Sequence, residues 1–114
     1  MALGNVLILA RDEVVAALLG LMVELRGFTP RFLGIDETPE DAFASGTFAA
    51  VVIDCDHPLW GDRFLSACRD ASARTILFSP FRIHTEVRDL ADRYGASSFT
   101  LPTDTGTFGK LLEL

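Results

Sequence analysis

Segments patterned as strands alternate five times with segments patterned as helices, and this alternation restricts the fold more than any other property of the chain. Val6-Leu7-Ile8-Leu9 is a short, wholly apolar run. Asp12 is placed to cap a helix that runs through Arg26 and is stopped by Gly27. Thr29 to Leu33 is expected as a second strand, polar enough for a sheet edge despite Pro30. Thr38 and Pro39 open a short helix as cap and first helical residue, and it ends near Ser45-Gly46. Ala49 to Ile53 is the third strand. A helix over Leu59 to Arg69 turns Leu59, Phe64, Leu65 and Cys68 inward. Thr75 to Phe78 is the fourth strand, Thr85 to Tyr94 a helix stopped by Gly95, Ser98 to Leu101 a short fifth strand, and Thr105 to Leu114 the last helix.

No linker or repeat interrupts this order, so the expectation is one α/β domain over residues 1–114, an open parallel sheet with helices on both faces. A chain of 114 residues buries roughly two-thirds of its unfolded surface, enough for a core without staples. The composition is 49% hydrophobic, which argues against disorder. Sixteen acidic residues against ten basic ones give a net charge of −6. That balance excludes nucleic acid and anionic membrane surfaces as expected partners, because both are bound through Lys and Arg. Cys55 and Cys68 read as two small buried residues in a reducing compartment. The start has no basic segment of the kind that opens a signal peptide. The longest apolar stretch, Val14 to Val23, has ten residues, where a membrane span needs about 20. A cytoplasmic protein is expected.

Asp54 closes the apolar run Ala49 to Ile53. In a parallel sheet with helical crossovers, ligands and chemistry collect outside the carboxyl ends of the strands. A carboxylate there stands where a reactive group belongs. The same edge gathers Ala10-Arg11-Asp12, Asp54 to Pro58, Ser79-Pro80 and Leu101-Pro102.

The apolar strand ending in Asp54, the D-x-x-x-P stretch to Pro58, Ser79 after the fourth strand, Gly95-Ala96 before the fifth and Pro102 after it resemble the receiver domain of bacterial response regulators over the whole chain. The resemblance implies a flavodoxin-like (βα)5 fold and a non-enzymatic role in two-component or phosphorelay signalling. It implies Asp54 as phosphoacceptor for a histidine kinase, Ser79 as the hydroxyl on a phosphoryl oxygen, and a Mg²⁺ site using Asp54 and the carbonyl of Asp56. Phe99 falls near the aromatic that reports switching in many members. The acidic pair of the family falls on Ala10 and Arg11, and its Lys falls on Leu101. Asp12 is the acidic residue left near the metal position, and Asp12-Glu13 serves as a shifted pair only if the first strand is longer by two residues.

A carboxylate attacking a phosphoryl group brings two anions together, and the reaction depends on cations that stabilise the equatorial oxygens. Arg11 repels Mg²⁺ and is expected to take its place, bridging Asp54 to Asp12 or Asp56. Leu101 holds no phosphoryl oxygen. Two readings follow. One is a degenerate receiver that needs no cofactor and acts through protein contacts, with a histidine kinase or a downstream signalling protein as partner. The alternative is a working phosphoacceptor on Asp54, with Mg²⁺ on Asp12, Asp54 and Asp56.

Plainer roles exist for each residue: Asp56 as a loop cap, His57 as a loop residue, Ser79 closing a turn with Pro80, and Trp60 covering the start of the third helix. The first helix is apolar nearly all round, which suits pairing of two copies. A second candidate surface, on the fourth helix, fifth strand and last helix, offers Arg82, Arg88, Arg93, Asp89 and Asp92 for cross-subunit ion pairs, although a charged, solvated face is the favoured reading of these residues. The chain contains no GxGxxG and no GxxxxGKS, so nucleotide binding has no support. Whether the chain is a stand-alone adaptor or part of a larger regulator stays open.

Overall fold

A computed structural model describes residues 4–58, 60–80, 82–100 and 105–113. The elements in chain order are β1 (Asn5–Leu9), α1 (Glu13–Leu25), β2 (Thr29–Phe32), α2 (Pro39–Ala44), β3 (Phe48–Asp54), α3 (Asp62–Asp70), β4 (Arg74–Phe78), α4 (His84–Tyr94), β5 (Ser97–Ser98) and α5 (Thr105–Glu113). The five strands form one sheet in the order β2-β1-β3-β4-β5, and every neighbouring pair is parallel. This is the expected flavodoxin-like arrangement.

Side chains along each inner strand point alternately to the two faces of the sheet, and both faces are covered. Leu7, Leu9, Val51, Ile53 and Leu77 face Phe64, Leu65 and Cys68 of α3 and Val87 and Ala91 of α4. Val6, Ile8, Ala50, Val52, Ile76 and Phe78 face Leu19, Met22 and Val23 of α1 and Phe108 and Leu112 of α5. That double covering explains why the inner strands read as unbroken apolar runs. Among the described residues, no helix is long and apolar enough to cross a membrane.

Local sequence sets the helix ends. The Asp12 carboxylate accepts hydrogen bonds from the backbone N–H groups of Val14 (2.8 Å) and Val15 (3.2 Å), capping α1. The Thr38 hydroxyl accepts from Asp41 N–H at 3.1 Å, with Pro39 opening α2. Gly95 ends α4 in the left-handed region at φ +67°.

Several boundaries differ from the sequence reading. β3 gains one residue at each end and takes Asp54 into the strand. α3 starts at Asp62 rather than Leu59, after the extended Gly61, and Leu59 itself lies outside the described residues. β2 ends at Phe32 instead of Leu33. β5 is Ser97–Ser98 rather than Ser98 to Leu101, because its ladder to β4 spans two pairs and Phe99 then turns into the core. Leu101 and Pro102 lie outside the described residues.

Candidate functional site

The strand order reverses between β1 and β3, since β1 leads to β2 on one side and β3 lies on its other side. Loops leaving such a point diverge and open a crevice at the carboxyl edge. The register brings Leu9 beside Ile53, and Asp54 beside Phe78. Arg11, Asp54, Asp56 and Ser79 therefore meet at one edge although they come from three strands.

Asp54 is 2% exposed, and among the described residues it and Ser79 are the two buried polar side chains. One Asp54 oxygen, Oδ1, accepts the backbone N–H of Asp56 at 2.9 Å, which closes a tight turn after β3. The other, Oδ2, faces Arg11 Nε at 3.4 Å. The same guanidinium lies 3.8 Å from Asp56 Oδ2, so Arg11 spans both carboxylates.

Asp56 gathers the remaining contacts. The Ser79 hydroxyl donates to Asp56 Oδ2 at 2.8 Å, and Arg82 Nε donates to Asp56 Oδ1 at 2.8 Å. Arg82 also donates its backbone N–H to Ser79 Oγ at 3.0 Å. Two carboxylates and two guanidiniums thus neutralise one another at the sheet edge. Burial works to raise the Asp56 carboxyl, but the Ser79 hydroxyl and the Arg82 guanidinium outweigh it and hold Asp56 below its ordinary value.

Arg82 is the residue that the sequence reading misplaced. The sequence places it on a charged, solvated face that could offer cross-subunit ion pairs, whereas it bonds within the chain, because the turn after Ser79 folds its backbone onto the serine hydroxyl. The sequence signal was its position, three residues past a serine that follows a strand and precedes a proline.

The other candidates fall into place around this group. His57 is half-buried in the turn, its backbone N–H donating to Asp54 O at 3.0 Å. Burial lowers its imidazole below the ordinary value, the Asp54 charge opposes that shift, and the Arg11 charge adds to it. Burial pushes the neighbouring Cys55 thiol up to about 11. Trp60 donates its ring N–H to Cys55 O at 3.1 Å and meets Tyr94 edge to face. Phe99 is 4% exposed, stacked on Phe78 at 5.2 Å and set edge-on to Phe108 at 5.0 Å.

The fold type raises the question of magnesium, which takes oxygen ligands in near-octahedral geometry. Ala10 brings no donor to the crevice. Asp12 spends its Oδ1 on the α1 cap. Asp54 and Asp56 share the Arg11 cation. Among the described residues, no three His, Cys, Asp or Glu side chains are grouped to hold a metal ion. The donors in place do not fit magnesium.

No protein-family model matches the sequence, and no curated protein matches it. Solved structures match closely in shape. A sensor protein from Polaromonas sp. JS666 aligns with TM-score 0.73 at 22% identity, over 97% of this chain and 94% of that one. An orphan response regulator of H. pylori aligns with TM-score 0.74 at 16% identity, over 98% and 95%. The receiver domain of a sensor histidine kinase from Pseudomonas aeruginosa, which holds a magnesium ion in its active-site cleft, aligns with TM-score 0.72 at 14% identity, over 96% and 94%. At these identities the likeness concerns architecture, and the chain has the fold of response-regulator receiver domains.

Proposed function

We propose that this chain is a receiver-type module of two-component or phosphorelay signalling that acts through protein contacts, without metal-assisted phosphorylation of Asp54. Its partner is a histidine kinase or a downstream signalling protein, met in the cytoplasm. One observation carries this reading: Arg11 stands 3.4 Å from Asp54 and 3.8 Å from Asp56, where phosphoryl transfer on this fold requires a divalent cation. A guanidinium neutralises the carboxylates as a hydrogen-bond donor, but it cannot accept oxygen lone pairs into an octahedral shell that joins Asp54 to a phosphoryl oxygen, and its charge repels the metal ion that does so. The Ser79 hydroxyl is engaged by Asp56, which further supports a closed site.

The test is incubation with acetyl phosphate and Mg²⁺ followed by intact mass, alongside amide spectra on adding beryllofluoride with Mg²⁺. The expected outcome is an unchanged mass and unmoved signals at Asp54 and Ser79. Stoichiometric phosphorylation of Asp54 overturns the proposal in favour of a working phosphoacceptor.

A further inference from the structure

We infer that two copies of this chain pair through the outward face of α1. The inference goes beyond the signalling role and does not depend on the state of Asp54. α1 is apolar on two sides. Its inner side buries Leu19, Met22 and Val23 against the sheet. On its outer side Val14, Leu18, Leu21 and Leu25 are 78%, 45%, 54% and 64% exposed. Steps of four, three and four residues set these side chains in one row along the helix. The charged residues of α1 are Glu13 and Glu24 alone.

The row does not end at the helix. Gly20 lets the Phe32 ring lie against α1, since a Cβ there would come within 2.7 Å of it. Phe32 is 44% exposed and Ile35 fully so, and with Ala16 and Ala17 they line a groove of about 600 Å³ beside α1. Four large apolar side chains thus stand open to water in one row on α1, with Phe32 and Ile35 open on the neighbouring strand and loop, more than singly scattered exposed residues and the mark of an interaction face.

The pattern selects a second copy as the occupant. Spacings of four, three and four read the same from either end. A two-fold axis crossing the middle of α1 therefore sets Leu18 beside Leu21 of the partner subunit and Val14 beside Leu25 of the partner subunit. Like surfaces meet, as a closed two-fold interface requires.

Sedimentation velocity of the whole chain across about 5–500 µM tests this, where a micromolar dissociation constant shows as a shift from monomer to dimer. Leu18→Glu and Leu21→Glu each sit on exposed positions and leave the circular dichroism unchanged. Each is expected to raise the dissociation constant at least about 30-fold. Arg88→Glu on α4 leaves it unchanged. Amide shifts of the unmodified chain on dilution give a readout free of any folding defect, and they are expected to concentrate in residues 14–25. A monomer at the highest concentration, dimers that survive both glutamates, or dilution shifts confined to α4 and α5 would each overturn the proposal and leave this face to a different protein.

Discussion

Replacing Ala10 and Arg11 together by aspartate should turn the charge cluster at the sheet edge into a magnesium site. Arg11 lies 3.4 Å from Asp54 Oδ2 and 3.8 Å from Asp56 Oδ2, so a cation seated between those carboxylates sits about 4–5 Å from the guanidinium. At about 4 Å a unit charge is worth about 4 kcal/mol at an effective dielectric of 20 and about 1 kcal/mol in bulk water. The Arg11 side chain is 40% exposed, which places the screened value near 2 kcal/mol per charge, or about 4 kcal/mol for a divalent ion. Removing that repulsion alone corresponds to about a thousandfold in affinity, and the two new carboxylates add oxygen donors. With allowance for incomplete geometry, Ala10→Asp with Arg11→Asp should bind Mg²⁺ at least about 100-fold more tightly than the natural chain in a calorimetric titration. Without metal the variant crowds four carboxylates together and should melt at a lower temperature. Mg²⁺ at ten times its dissociation constant should return about 1.4 kcal/mol of that loss. A folded double variant that binds Mg²⁺ no better than the natural chain would show that Arg11 does not stand where the metal would, and the reasoning would fail.

Three further outcomes are expected. Arg31 holds the Glu37 carboxylate through two hydrogen bonds of 2.8 and 2.7 Å, and Gly34 N–H adds a third, lowering Glu37 from 4.5 to about 2. Because the folded value is the lower one, the stability gained is complete above the unfolded value and is lost as pH falls through about 2; a Glu37 carboxyl titrating at 4.5 in the folded protein would contradict this. Phe64 is fully buried and meets Phe43 edge-on, so Phe64→Ala should cost about 3–5 kcal/mol in urea unfolding, and a loss under about 1 kcal/mol would contradict the packing. Burial pushes the thiols of Cys55 and Cys68 up to about 11 and about 12, so both should resist a disulfide reagent at pH 8 until denaturant is added; rapid labelling of the native chain would count against their burial.

Sequence patterning carried the architecture because it reports burial and local hydrogen bonding. The runs at β1, β3 and β4 are apolar since helices cover both sheet faces, and Asp12, Thr38 and Gly95 mark helix ends through contacts within a few residues. The approach of Arg11 to Asp54 was implied by the resemblance to receiver domains, which sets Arg11 at the family's acidic-pair position; the alternation of elements gives parallel strands but not the order that brings β1 beside β3. Arg82 was not legible in the same way. Its bond to Asp56 spans 26 residues and depends on how the loop after β4 turns, and no periodicity records that. The Arg31–Glu37 pair escaped for a similar reason, being fixed by the path of the loop after β2. β5 was overextended because Phe99 reads as a strand residue, whereas its ring belongs to a contact between Phe78 and Phe108.

That aromatic column ties the edge of the sheet to the last helix. β5 has a ladder of two residue pairs, too short to hold the edge by backbone bonds alone. Swinging the Phe99 ring out into water would forfeit its burial and two ring contacts, about 4 kcal/mol, which leaves the outward rotamer at about one molecule in a thousand. The ring works as a rivet: β5 stays seated while α5 stays docked, and a signal that lifted α5 would unfasten that whole margin of the protein in a single step.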